Sequence, residues 1–82
     1  SIDEFGAFTV NIYPNPVQHM LTLELPSGNK NIRIVNITGA TVLSLQSSLN
    51  TERINMSNLP NGIYFIQIES NNQTVVRKVV KQ

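Results

Sequence analysis

Turn-forming residues punctuate the chain at a regular beat, and no other feature constrains its fold as tightly. They fall at Pro14-Asn15-Pro16, Pro26-Ser27-Gly28-Asn29, Thr38-Gly39, Ser47-Ser48 with Asn50, Pro60-Asn61-Gly62 and Ser70-Asn71-Asn72. Their centres lie roughly 11 or 12 residues apart, at the upper end of the spacing in an all-β sandwich or barrel. Each residue type breaks a strand for its own reason. Pro fixes φ and lacks an amide donor, Gly accepts positive φ, and Asn hydrogen-bonds its own backbone.

Between the turns, apolar and polar residues alternate. In Leu21-Thr22-Leu23-Glu24-Leu25 the leucines share one face, and in Ile32-Arg33-Ile34 the isoleucines oppose Arg33. In Tyr64-Phe65-Ile66-Gln67-Ile68-Glu69, the set Tyr64, Ile66 and Ile68 points inward while Gln67 and Glu69 point out. A period of two is that of a half-buried strand, and no segment keeps helical spacing for ten residues. Six turns predict seven strands, at about 8–13, 20–25, 31–37, 41–46, 52–56, 63–69 and 74–81. Seven short strands in so few residues predict an all-β, immunoglobulin-like antiparallel sandwich over residues 8–82, with a partly open barrel as the competing architecture. Residues 1–7 carry no pattern and read as the end of a linker.

Composition narrows the function classes. Hydrophobic residues make up 40% and charged ones 13%, which suits a folded domain and not a disordered one. A net charge of +1 gives no electrostatic case for nucleic acid. Without cysteine, disulfides, thiolate nucleophiles and cysteine zinc sites are excluded. One histidine and five carboxylates do not fill a transition-metal site, so no cofactor is expected. No apolar run is long enough for a membrane-spanning helix.

The candidate sites divide into structural and recognition readings. Tyr13-Pro14-Asn15-Pro16 is either a rigid turn that ends the first strand and keeps another strand off its edge, or a recognition element. In Leu59-Pro60-Asn61-Gly62-Ile63-Tyr64, Gly62 supplies an unusual backbone angle. Tyr64 is placed to bond the backbone of the preceding corner, as a tyrosine does near the start of this strand in immunoglobulin-like sandwiches. The tail Arg77-Lys78-Val79-Val80-Lys81-Gln82 holds three of the six basic residues, as a charge-guarded edge strand or a cationic tag. His19 is expected at the surface. Glu24, Glu52 and Glu69 are expected on solvent faces of separate strands, and Asp3 and Glu4 in the linker. A catalytic carboxylate pair needs a cleft with shifted pKa values, a triad needs a nucleophile beside its base, and no phosphate loop is present. The chain therefore reads as a non-enzyme with no small-molecule substrate. Three Asn-x-Ser/Thr triplets, beginning at Asn36, Asn55 and Asn72, fit a glycosylation pattern that also arises by chance in Asn-rich chains.

Taken in order, these segments resemble the type A C-terminal sorting domain of the type IX (Por) secretion system of Gram-negative bacteria, over about residues 8–82. Tyr13-Pro14-Asn15-Pro16 is similar to its opening motif and Leu21-Thr22-Leu23 to the strand that follows. Ile34-Val35-Asn36-Ile37-Thr38-Gly39 is similar to its central hairpin, where the family more often has Asp at the position of Asn36. Leu59-Pro60-Asn61-Gly62-Ile63-Tyr64 resembles its Leu-Pro-x-Gly-x-Tyr segment, and Lys78-Val79-Val80-Lys81 its basic and aliphatic terminus. The resemblance implies a domain that addresses an N-terminal cargo. The cargo crosses to the periplasm and folds there. It is recognised by the outer-membrane type IX translocon and cleaved by a sortase-like cysteine protease. It ends secreted or on the cell surface, released or joined to an anionic lipopolysaccharide. By resemblance the signal comprises Gly62, Tyr64, Arg77, Lys78, Val79, Val80 and Lys81, with cleavage within or upstream of residues 1–8. One mechanism follows: the last strand offers a free edge to which a partner adds a strand, Lys78 and Lys81 with the aliphatic pair between them give specificity, and deleting residues 78–82 leaves a folded or slightly destabilised domain but keeps the cargo in the periplasm. The alternative is a non-catalytic extracellular adhesion or carbohydrate-binding module, which needs an exposed aromatic patch or clustered carboxylates.

Overall fold

The computed structural model describes residues 8–82. Seven strands run through them: β1 Asn11–Tyr13, β2 Met20–Glu24, β3 Lys30–Asn36, β4 Thr41–Ser47, β5 Thr51–Asn55, β6 Gly62–Ser70 and β7 Gln73–Lys81. The expected linker, residues 1–7, and the greater part of the expected cleavage region lie outside the described residues. The strands form two antiparallel sheets, β1-β2-β5 and β4-β3-β6-β7. The expected sandwich is therefore present, with the first strand starting later than the alternation suggests.

The core is the inward half of each alternating strand. Leu21, Leu23 and Ile54 from the smaller sheet meet Ile32, Ile34, Tyr64, Ile66, Ile68, Val75 and Val79 from the larger. Val10, Val17 and Met56 close it at the ends. Apolar burial of this kind contributes about 1.5–3 kcal/mol per large side chain, so the set supplies the main driving force.

Turn chemistry sets the register. The β6–β7 hairpin turns on Asn71 and Asn72, both at positive φ, between the paired residues Ser70 and Gln73. That is the backbone of a two-residue I′ hairpin, which Asn tolerates. The β3–β4 hairpin turns through Asn36–Ala40. The Gly39 amide bonds the Asn36 carbonyl at 2.9 Å, Gly39 sits at φ 90°, and the Asn36 side-chain oxygen accepts from the Thr38 amide, the Thr38 hydroxyl and the Ala40 amide. Asn55 binds the Ser57 amide and hydroxyl in the same way. Two of the Asn-x-Ser/Thr triplets are thus local turns in which the hydroxyl serves the preceding Asn.

Glu52 and Lys81 depart from the sequence reading, and Lys30, which precedes the predicted third strand, is buried as well. Glu52 was expected on a solvent face, but it pairs with buried Leu23 and so lies half-buried on the core side of β5. Lys30, only 2% exposed, begins β3 on the same side as Ile32 and Ile34. Its ammonium donates to the carbonyls of Pro26, at 2.7 Å, and Gly28, at 2.6 Å, so the buried charge is held by the β2–β3 turn. Lys81, 7% exposed, likewise faces inward at the end of β7.

Candidate functional site

The conspicuous segments of the sequence lie far apart in the chain, and the fold gathers them at one end of the sandwich. Strand directions dictate this. β3 ends and β4 begins there, β6 begins there, β7 ends there, and the Pro14–Pro16 turn between β1 and β2 lies there as well. The chain enters β1 at Asn11, which pairs with Glu24 at the opposite end. The two ends are called the distal and entry poles below.

At the distal pole the proline turn leaves the smaller sheet and docks on the larger. Its two X-Pro bonds, Tyr13-Pro14 and Asn15-Pro16, are cis. Asn15 then behaves as a piece of strand. Its side-chain Nδ2 donates to the Lys78 carbonyl at 3.2 Å, and its Oδ1 accepts from the Val80 amide at 3.0 Å. Val17, fully buried, continues the pairing as a parallel bridge to Lys81. The Val17 amide bonds the Val80 carbonyl at 2.8 Å, and the Gln82 amide bonds the Val17 carbonyl at 2.9 Å.

This overturns the free-edge mechanism. The outward backbone groups of β7 at Lys78 (carbonyl), Val80 and Gln82 are already paired, and the Arg77 guanidinium covers the Val76 carbonyl at 3.0 Å. A partner strand has no continuous row of donors and acceptors to join there. Strand periodicity also separates the two lysines assigned to specificity. Lys78 is exposed on the outer face, whereas Lys81 faces inward and its ammonium donates to Asn61 Oδ1 at 3.3 Å. Deleting residues 78–82 is not a mild change either. It removes buried Val79 and the pairing of four residues, Lys78 to Lys81, with Gly62 to Phe65 of β6, and it strips the partners of Asn15 and Val17.

The corner before β6 meets its expectation. Gly62 stands at φ 153°, a region that L side chains rarely adopt, and a Cβ there would meet open space. The glycine requirement is therefore one of backbone conformation, not of crowding. Tyr64 is buried and its hydroxyl donates to the Pro60 carbonyl at 2.6 Å, closing the corner. Asn36 pairs with Tyr64, and Tyr64 with Val79, so the central hairpin, the tyrosine and the terminal strand share one rung.

Residues 11–82 match the family described as a secretion system C-terminal sorting domain. The chain belongs to that type IX secretion family. No curated protein matches it. Membership makes the domain a type IX sorting signal that meets the secretion machinery, is attached to a cargo and serves export to the cell surface or extracellular space.

Elsewhere the sorting domain carries polar clusters. On the outer face of the smaller sheet, Tyr13 donates its hydroxyl to Glu24 at 2.8 Å, and Asn11 donates to the other carboxylate oxygen at 3.1 Å. The bond to Glu24, together with desolvation and the carboxylate's charge, raises the Tyr13 pKa above 10.0, opposed by Arg53. His19 is exposed, and its carbonyl accepts from the Met56 amide at 2.7 Å. Among the described residues no three His, Asp or Glu side chains gather as metal ligands do. The interactions that sequence reasoning missed are those of Asn15 and Lys81. Each joins positions that only the tertiary fold brings together.

Proposed function

We propose that this domain directs an N-terminal cargo through the outer membrane from the periplasm, by presenting its distal pole to the type IX translocon. A sortase-like cysteine protease then removes it at a bond upstream of β1. The domain itself has no catalytic role and takes no cofactor, nucleic acid or small-molecule substrate. One observation carries the reading. The proline turn, the central hairpin, the Gly62–Tyr64 corner and the Lys78–Lys81 terminus converge at the pole opposite the one through which the chain enters. A cargo joined before β1 leaves from the entry pole and does not cover the surface to be recognised. Cleavage upstream of β1 leaves the folded sandwich intact.

The test is a transplant. Residues 1–82 are fused to the C-terminus of a periplasmic fluorescent protein in a host with a type IX system. Fluorescence in the medium and at the surface, lost in a translocon mutant, is the expected result. Cargo recovered outside without the sandwich, in a sortase-positive host only, supports cleavage. A folded fusion that stays in the periplasm of a secreting host sinks the reading.

A further inference from the structure

The outer face of the four-stranded sheet changes chemistry along its length. Near the entry pole the rung formed by Gln46, Asn31, Glu69 and Thr74 is polar and exposed throughout. Two rungs further toward the distal pole, Val35 pairs with Phe65 and Phe65 with Lys78. On the next rung Ile63 pairs with Val80. These residues alternate with core residues of their strands, so they belong to the outward set; Ile63, Phe65 and Val80 are half-buried there, and Val35, 8% exposed, is covered by its neighbours. Val76, 40% exposed, borders them, and Ile37, 71% exposed, extends the apolar surface onto the hairpin tip. The outer face of an antiparallel sheet is ordinarily polar when it meets water. A contiguous apolar patch there marks an interaction surface.

Charge follows the same axis. Glu24, Glu52 and Glu69, all the carboxylate side chains among the described residues, lie toward the entry pole: Glu24 opposite Asn11, Glu52 opposite Leu23, and Glu69 beside the β6–β7 turn. The distal pole carries exposed Lys78; Lys81 there is only 7% exposed and holds Asn61, and Arg33, Arg53 and Arg77 stand on middle rungs of their strands. Lys30, near the entry pole, is buried against carbonyls and does not present its charge to a partner. The carboxylates thus gather at the end of chain entry, and away from it the exposed charge is basic, with Lys78 nearest the end where the motifs meet, an arrangement that orients an approaching partner before contact.

We infer that the distal half of this outer face, Ile63, Phe65, Val76 and Val80 around Lys78, is the docking surface for the type IX component that reads the domain, and that this component presents an apolar surface rimmed by carboxylates. The inference rests on the sorting reading and adds to it the face, the residues and the chemistry of the partner. Apolar contact supplies affinity, and the lysine supplies rate and orientation.

The experiment uses the fluorescent fusion and the purified domain together. Lys78→Glu changes an exposed side chain, so the melting temperature stays at the parent value, and export falls about tenfold or more. Lys78→Arg restores it, and Thr74→Glu, on the polar rung, exports as the parent does. A photo-crosslinking residue in place of Val76 yields an adduct with a type IX component during secretion, and one in place of Gln46 does not. Normal export of a folded Lys78→Glu fusion, or no adduct from position 76 while the parent is exported, overturns the docking surface and leaves the sorting function standing. A parent fusion that is not exported removes the sorting reading and the docking surface with it.

Discussion

Asn15→Ala isolates the contact that closes the β7 edge. Asn15 makes two neutral hydrogen bonds to that strand, at 3.2 and 3.0 Å. A neutral hydrogen bond contributes about 0.5–1.5 kcal/mol net, and both of these are exposed to water, so their joint loss costs about 1–2 kcal/mol. For a domain of this size that lowers the melting temperature by roughly 5–15 °C. The Val17 bonds to Val80 and Gln82 do not involve the Asn15 side chain and persist. The loss is therefore local as well as global. In urea titrations the midpoint falls at constant slope, and in hydrogen exchange the Val80 amide loses protection relative to core amides of β6. Asn15→Asp separates the two bonds: it keeps an acceptor for the Val80 amide but presents no donor to the Lys78 carbonyl, so Val80 stays protected while part of the stability is lost. An Asn15→Ala domain with parent midpoint and a protected Val80 amide refutes the idea that this side chain serves as the missing strand.

Four further outcomes follow from the same geometry. Tyr64→Phe keeps the buried ring and loses the bond to Pro60, so unfolding is eased by about 1 kcal/mol in urea, without a change of slope. Lys30→Met removes the donor that holds the Pro26 and Gly28 carbonyls and lowers stability by about 2 kcal/mol, read in the same titration; an equal or higher midpoint shows that the turn does not need the ammonium. Removal of residues 78–82 exposes the site of Val79, worth about 1.5–3 kcal/mol alone, and breaks the distal pairing of β7. Against a total of about 5–15 kcal/mol, circular dichroism shows a clearly lowered melting temperature, and a truncation as stable as the parent contradicts the structure. In a Tyr64→Phe background, phenolate absorbance gives Tyr13 a midpoint above 10.0, because the neutral phenol donates to Glu24 and ionisation both breaks that bond and sets two anions together; this contribution is full below 10.0 and fades as pH rises through the raised value, and Glu24→Gln returns the midpoint toward 10.0.

The strands and the direction of their side chains were legible because period-two alternation is a local property. Leu21 with Leu23, Ile32 with Ile34, and Tyr64 with Ile66 and Ile68 all face the core as their spacing predicts. The tyrosine corner was legible for the same reason, since Tyr64 and Pro60 are four residues apart. The edge contact was not. Asn15 and Val80 are separated by 65 positions, and nothing local tells a proline turn to dock on the other sheet. At Glu52 and Lys81 the charge suggests one face and parity the other. Lys30 shares the parity of Ile32 and Ile34, Glu52 that of Ile54, and Lys81 that of Val75 and Val79, and in each case parity decided the face. The signal was present in the alternation. It was masked by the sound but weaker expectation that charged residues lie outside.

These inward charges share a position that explains how they are tolerated. Lys30 and Glu52 stand at or next to the start of their strands, and Lys81 ends its strand. A long side chain there can bury its stem and still bring its charged head to a carbonyl, an amide oxygen or water. Lys30 reaches the turn carbonyls and Lys81 reaches Asn61. The consequence for the terminus is that one strand does two jobs with alternate residues. Val79 and Lys81 tie β7 to the core and to the Gly62 corner, while Lys78 and Val80 face outward beside Ile63 and Phe65. A free peptide of the same residues would expose both sets and hold neither in register. The outward set exists as a surface only because the inward set, together with Asn15 and Val17, holds the strand in place. The basic and aliphatic terminus is thus a folded surface shared with β3 and β6, and its chemistry cannot be read from its sequence alone.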